Sequence, residues 1–529
     1  MDMTNTSIKL DDKFNIKKSK VLLNGTQGLV RLMLGQKLRD EKQGLNTAGF
    51  VTGYRGSPLG AVDFQMRRAS KELLASNIKF KEALNEDLAT TALWGAQQAE
   101  LRGEGLYDGV FGLWYGKGPG VDRSGDAMRH ANMAGSSVNG GVLMAMGDDH
   151  SGESSTVLHQ SDLAMIDAGM PILSPAGVQE ILDYGYYGFA LSRYSGLWVG
   201  LKTMKDTIEV TSVVDGDPLR MSFKNPKPKS GADNLNIRLV DTPADQEKRL
   251  LSDKKIAAEE FARINRIDKV GLPKFNSKIG LVAAGKNWLD LIHAFSLLGI
   301  DESEAKALGI TSYKIVQTWP IDRQSLLEWA DQLDLIIVIE EKRKIIETQI
   351  KDALFSVASK TRVYGGHKND ENLFFDHGVL DPLDIASALG QIFKEEGCSN
   401  NSLELGLKKI IEVQSADNAP DLAERLPYFC AGCPHNSSTI VPEGSRAYAG
   451  IGCHYMAQWM DRETLGFTHM GGEGANWIGE SLFSKRDHVF QNIGDGTYNH
   501  SGIQAIRAAV AANTDITYKI LFNDAVAMT

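Results

Sequence analysis

Residues 489–502 read VFQNIGDGTYNHSG. An apolar run meets Gly494-Asp495-Gly496, and helix-forming residues follow in HSGIQAIRAAVAA (500–512). The pattern is a strand, a carboxylate between two glycines, and the start of a helix. The next apolar stretch, YKILF (518–522), runs into Asn523. Two such strands, if parallel, deliver Asp495 and Asn523 to one carboxyl edge of a sheet, where open α/β sheets bind ligands. A carboxylate with a neutral amide oxygen suits Mg²⁺, a hard cation that commonly bridges to phosphates. The glycines let the backbone approach a diphosphate, and the helix N-terminus favours negative charge. The plain alternative is a tight strand–helix turn followed by an unrelated asparagine.

Outward from this stretch, strands and helices alternate. TQGLVRLMLGQKLRDEK (26–42) is an amphipathic helix, and NTAGFVTGYRGSP (46–58) is a strand entering a Gly-Pro turn. GVLMAMGDDHSGESS (141–155) is a buried strand ending in a polar loop. KIGLVAAGKNWLDLIHAFSLLGI (278–300) and LDLIIVIEE (333–341) open a second block. Such alternation predicts an α/β, multi-domain protein with parallel sheets flanked by helices. The expected boundaries are a polar tail at 1–25, a first domain at 26–250, a middle domain at 275–395 and a last domain at 420–529. The proline-bearing KNPKPKSGADNLN (224–236) and the polar 396–426 read as connecting segments, and the middle block as structural, without convergent polar groups.

The 529 residues are 42% hydrophobic and 23% charged, with a net charge of −10. No broad basic face is implied, which excludes nucleic acid as the main partner. No apolar run approaches the roughly 20 residues of a membrane span, and the polar N-terminus lacks a signal-peptide core. The chain reads as cytoplasmic.

Four cysteines do not make a disulfide framework in so long a chain. Cys398 reads as a surface thiol. The other three, Cys430 and Cys433 in FCAGCPHNSS (429–438) and Cys453 in AGIGCHYMA (449–457), supply three soft ligands. Iron–sulfur and zinc both fit that spacing, and a fourth ligand is needed for either. Glu86 heads the helix NEDLATTALWGA (85–96), where any acid is stabilised by the helix dipole. GYRGSPLGAVD (53–63) sets Arg55 and Ser57 on a strand-to-helix turn fit to hold a carboxylate or carbonyl.

Together GYRGSPLGAVD, YGKGPGVDRSGDA (115–127), GDDHS, the cysteine run, HMGGEGANW (469–477) and NIGDGTYNHSGIQAIRAAVA resemble the large fused indolepyruvate ferredoxin oxidoreductases of bacteria. These are 2-oxoacid:ferredoxin oxidoreductases. The resemblance covers nearly the whole chain and is most specific over 429–529. It implies a thiamine diphosphate-binding fold: a pyrimidine domain first, a transketolase C-terminal-like domain in the middle, and a diphosphate domain last. It also implies that the chain is an N-terminal fragment of a longer protein. Glu86 would act on the aminopyrimidine ring so that thiazolium C2 loses its proton. Arg55, Ser57 and His500 would meet the substrate. Asp495, Asn523 and the Ala525 carbonyl would bind Mg²⁺. Ile451, Gly452, Cys453, His454, Gly494, Gly496, Thr497, Ala527 and Met528 would surround the diphosphate, with Gly471 and Gly472 lining the site. Cys430, Cys433 and Cys453 would ligate a [4Fe–4S] cluster.

The activity so implied is oxidative decarboxylation of arylpyruvates (indolepyruvate, phenylpyruvate, 4-hydroxyphenylpyruvate) to aryl-acetyl-CoA. Coenzyme A and ferredoxin would be partners, and a homodimer is the default assembly. Two rivals stand beside it: a non-redox thiamine diphosphate decarboxylase or synthase, and a non-catalytic, metal-stabilised assembly subunit.

Overall fold

In the computed structural model, which describes residues 8–227, 234–416 and 426–522, the apolar runs become strands of parallel sheets buried on both faces. By its contacts the chain divides into two units, Met1–Asn418 and Ala419–Thr529. The first unit begins with β1 (Lys20–Asn24), β2 (Ala48–Gly53), β3 (Ile78–Glu82), β4 (Val110–Lys117), β5 (Val142–Asp148), β6 (Ile172–Leu173), β7 (Val199–Met204) and β8 (Thr211–Asp215). It continues with β9 (Lys269–Val270), β10 (Ile279–Ala284), β11 (Ile310–Ile315), β12 (Gln317–Trp319), β13 (Leu335–Ile339) and β14 (Arg362–Tyr364), and a hairpin of β15 (His367–Lys368) and β16 (Glu371–Asn372).

Seven strands form one sheet, ordered β12-β6-β7-β5-β4-β2-β3 and parallel apart from the edge strand β12. Along β4, Phe111, Leu113 and Tyr115 enter one apolar core, while Trp114 enters the core on the other face. β5 divides Leu143 and Ala145 from Val142, Met144 and Met146 in the same way. A period-two split with no polar face marks a sheet covered on both sides. The second sheet, β14-β13-β10-β11-β9, repeats the design: Leu281 and Ile337 face one core, Val282 and Ile336 the other. The middle block also lends β12 to the first sheet, where it pairs antiparallel with β6.

Two segments depart from expectation. The N-terminal stretch read as a polar tail is folded from Leu10: a short helix, Leu10–Phe14, precedes β1, which pairs antiparallel with β8. The cause is Arg31, whose wholly buried guanidinium donates to the carbonyls of Lys13, Asn15, Lys18 and Gly216. Backbone carbonyls make this contact, so polar side chains gave no hint of it. The polar connector after 396 contains a helix, Asn401–Ala416, which buries Leu403, Leu407 and Ile410 in the core of the second sheet.

The second unit carries β17 (Ala447–Tyr448), β18 (Val489–Gly494) and β19 (Ile516–Leu521) in a parallel three-stranded sheet. No helix among the described residues is long and apolar enough to cross a membrane.

Candidate active site

In the first sheet the chain lays β3 on one side of β2 and then returns to lay β4 on the other. Order reverses between β2 and β4, and such a switch opens a crevice at the carboxyl edge. The turns after β2, β3 and β4 meet this edge. They carry Ser57, Glu86 and the glycines of YGKGPG.

Glu86 is the first residue of the helix Glu86–Ala96. Asn85 caps it, its side chain accepting from the Leu88 amide at 3.1 Å. Trp114 Nε1 donates to the Glu86 carbonyl at 3.1 Å, tying the first turn to β4. Under the helix lies Gly112, where a Cβ would come within 2.5 Å of Leu93, so the helix seats directly on the strand. The Glu86 carboxyl is buried against Gly120, where a Cβ would stand 2.5 Å from Glu86 Oε1.

Ser57 lines an open pocket of about 250 Å³ with Asn24, Thr26, Pro58, Ile208 and Glu209. Arg55 does not line it. Its guanidinium is drawn to Asp63 at 3.6 Å and Glu82 at 3.8 Å.

The end of β5 carries a denser polar cluster. Asp148 accepts from Ser161 N at 3.0 Å and from Ser161 Oγ at 2.5 Å. Burial alone would raise its pKa, but His150 and His159 hold it below the usual carboxylate range. Asp149 folds the following loop by accepting from the amides of Gly152, Glu153 and Ser154. His150 Nδ1 meets Glu341 Oε1 at 2.5 Å, and Lys342 Nζ donates to the His150 carbonyl at 2.8 Å. Burial opposes charge on Glu341, yet His150 and Lys286 hold its pKa down to about 2. Lys342 adopts φ +59°, a left-handed conformation costly for a lysine and common where function constrains the backbone. Glu340, Glu341, Lys286 and Asn287 leave the second sheet at its own switch point, between β10 and β13. The middle block therefore does carry convergent polar groups. Within EEKR (340–343), Glu340, Glu341 and Lys342 are buried, and Glu341 and Lys342 meet the loop after β5.

In the second unit, Gly494 ends β18 and Asp495 opens the next helical turn, Asp495–Thr497. Asp495 is buried, and its Oδ1 accepts from the Gly496 amide at 2.8 Å. Gly494 pairs with Leu521, so β18 and β19 end at one edge. Asn523, Ala525, Ala527 and Met528 lie outside the described residues. Facing this edge is the loop 450–454. Gly452 has φ +134°, and a Cβ on Gly450 would lie 2.5 Å from the His454 ring. Thr497 Oγ1 reaches the Ile451 carbonyl at 3.5 Å. The Gly450 amide donates to His454 Nδ1 at 3.0 Å, and burial pushes the His454 pKa down to about 3. The neutral ring therefore carries its proton on Nε2, a buried donor with no acceptor among the described residues. The buried Asn492 amide likewise has no partner among them. Gly471 has φ +92°, and a Cβ on Gly472 would lie 2.4 Å from His469. Open donors over a glycine cradle, beside a carboxylate, fit an anionic diphosphate with a divalent cation. His500 lies inside the unit, Nδ1 to Ser501 Oγ at 2.7 Å.

Sequence reasoning missed two residues here. Glu473 is wholly buried, accepts from the Gly471 and Ile451 amides, and is pushed up to about 7 by burial. His435 is buried within electrostatic reach of Asp495. The runs HMGGEGANW and CPHN were noticed for their glycines and cysteines, which masked these neighbours.

The cysteines are a weaker fit to their expected group. Burial raises the Cys453 pKa, and Cys430 and Cys433 are near enough to raise it further. Among the described residues, however, no three His, Cys, Asp or Glu side chains form a metal-holding group. Cys398 is half-buried in the core of the second sheet and not a bare surface thiol.

Comparison with known proteins matches this architecture. Residues 450–529 match the C-terminal TPP-binding domain of thiamine pyrophosphate enzymes, and residues 269–417 match the indolepyruvate oxidoreductase domain. A 2-oxoglutarate:ferredoxin oxidoreductase from Magnetococcus marinus, solved with 2-oxoglutarate, coenzyme A and succinyl-CoA bound, superposes at TM-score 0.50. It is 14% identical, over 71% of this chain and 66% of that one, a likeness of fold. The fold is thus a thiamine diphosphate-binding α/β fold.

Within that class, the chain resembles the indolepyruvate oxidoreductases along nearly its whole length. Subunit IorA from Pyrococcus horikoshii is 24% identical over 99% of this chain and 77% of its own. Its counterpart from Methanothermobacter marburgensis is 23% identical over 91% of this chain and 73% of its own. Both are named as subunits, whereas the motifs above were likened to the fused bacterial form.

Proposed function

We propose that this protein is a thiamine diphosphate-dependent oxidoreductase that decarboxylates arylpyruvates. Coenzyme A would take the acyl group and ferredoxin the electrons, in a cytoplasmic homodimer. The observation that carries the reading is Glu86: a buried carboxyl on a helix head, pinned by Trp114, at the switch point of a parallel sheet. The names of the relatives support the substrate, and the ligands of the Magnetococcus protein support a 2-oxoacid and coenzyme A.

When bound, thiamine diphosphate supplies the electron sink for loss of CO₂. The chain's own residues do the rest. Glu86 would hold and return a proton at the aminopyrimidine ring. Ser57, in its pocket, would hold the 2-oxoacid. Asp495, with Asn523 and the Ala525 carbonyl, would hold Mg²⁺, and His454 Nε2–H and Asn492 would donate to the diphosphate. Cys430, Cys433 and Cys453 would serve a [4Fe–4S] cluster with a ligand from elsewhere.

The test is calorimetric titration of thiamine diphosphate with Mg²⁺, followed by deuterium exchange at thiazolium C2. Glu86→Gln should bind the cofactor and exchange slower by on the order of a hundredfold or more, the usual share of a positioned acid–base group. Failure of the wild type to bind sinks the whole reading; normal exchange in the variant sinks the role of Glu86. The loose cysteine set favours one second reading, a non-redox decarboxylase. Iron and sulfide at cluster stoichiometry in anaerobically purified protein would exclude it; iron-free protein that still releases CO₂ would establish it.

A further inference from the structure

Opposite Glu86, the YGKGPG turn meets a second side chain. A Cβ on Gly118 would lie 2.4 Å from His159 Nδ1, and one on Gly120 would lie 2.5 Å from Glu86 Oε1. Alternate glycines of one turn thus contact the histidine ring and the carboxyl, and the turn is gripped between them. His159 Nε2 meets Asp122 Oδ2 at 2.7 Å, and Nδ1 lies 3.5 Å from Asp148 Oδ1. Asp122 belongs to the helix Gly118–Arg123 that the turn begins. Asp148 ends β5. The ring therefore ties the helix to the sheet.

We propose that His159 is a positioning residue for Glu86, pressing the 117–120 turn against its carboxyl. The inference rests on the reading of Glu86 above.

Three observations carry it. The helix Gly118–Arg123 has six residues, too few to hold its own conformation without tertiary contacts. The Asp122 side chain is 61% exposed, so its pairing with a buried ring secures the helix and satisfies no buried acid. The loop that bears His159 is itself fixed. Asp149 accepts three of its amides, Ser161 is bonded to Asp148, and Lys117 Nζ reaches the Ser154 carbonyl at 2.5 Å. Burial opposes charge on the ring, but Asp122 and Asp148 push its pKa up to about 9, so the pin is cationic at neutral pH. Charge-assisted hydrogen bonds are the stronger kind.

The test compares wild type with His159→Gln and, as a variant at an exposed position, Asp122→Asn. Hydrogen–deuterium exchange of the cofactor-free protein is read by mass spectrometry on peptides covering 86–96 and 118–124. Both variants should exchange about tenfold faster in both peptides, the factor expected for a lost charge-assisted hydrogen bond. Other peptides should be unchanged. Thiamine diphosphate affinity should stay within about twofold, with C2 exchange about tenfold slower, since misplacing a group costs rate more than binding. Unchanged exchange over 86–96 in both folded variants would overturn the proposal. Faster amides in His159→Gln beside normal C2 exchange in Glu86→Gln would overturn the reading of Glu86, and its positioning with it.

Discussion

A methyl group on residue 120 would sit 2.5 Å from both Cγ and Oε1 of Glu86, closer than real side-chain carbons approach. At residue scale this is the tightest constraint on the proposed acid. Gly120→Ala must move either the turn or the carboxyl. A displacement near 1 Å at a reacting group can cost about a hundredfold in rate. We expect C2 exchange in Gly120→Ala to fall by about that factor, while calorimetric affinity for thiamine diphosphate stays close to wild type. Wild-type exchange would mean that the turn yields freely and does not set Glu86. The place of Glu86 at a helix head was legible, because an acid heading a small-residue helix follows from local pattern, whereas its proposed role came only from the family resemblance. Gly120 and His159 were not, because their meaning is a contact across three different loops.

At the scale of elements, Lys254 joins the ends of two helices. Its Nζ, wholly buried, faces the Met133 carbonyl at 3.4 Å and the Gly196 carbonyl at 3.3 Å. These belong to the C-terminal ends of the helices Gly125–Ala134 and Val178–Ser195. Helix C-termini favour a cation. Burial nonetheless dominates, with Arg249 adding repulsion, and pushes the pKa down to about 7 from an ordinary 10.5. Between those values the folded chain binds fewer protons here than the unfolded chain, so this group makes stability rise with pH. Its stabilising effect is fully present above the unfolded value and is lost as pH falls through about 7. The urea midpoint of the first unit should therefore gain more between pH 7.5 and pH 9.5 in wild type than in Lys254→Met. Parallel pH profiles for the two proteins would show that Lys254 stays charged.

Across the whole first unit, the pair of His150 and Glu341 couples the edges of two sheets. Both side chains are buried, at 2.5 Å, and Glu341 also accepts from Leu380 N, Asn287 and Lys286. Removing one partner of a buried charged pair costs about 3–5 kcal/mol, and Glu341 faces Lys286 as well as His150. Glu341→Ala should accordingly lower the urea midpoint of the first unit by a corresponding margin. His150→Leu combined with Glu341→Leu should recover only part of that loss, because no histidine then faces the gap but Leu380 N, Asn287 and Lys286 still lose their acceptor. A single variant as stable as wild type would show the pair to be solvated, not buried.

The sequence by itself determined the elements and the local motifs. Alternating apolar runs are long enough to specify parallel strands, and Gly494-Asp495-Gly496 needs only its own strand and turn to place a carboxylate at a sheet edge. These are short-range properties, set by side-chain period and by what glycine allows. Tertiary structure alone decided the rest: that Leu10–Phe14 packs under Arg31, that β12 crosses into the first sheet, that Glu341 and Lys342 are buried against His150, and that His159 grips the turn beside Glu86. Each of these joins residues far apart in the chain through backbone carbonyls, missing side chains or charges that burial alone makes matter. Local pattern carries no trace of such contacts, because a charge or a glycine looks the same in sequence whether water or another strand lies against it.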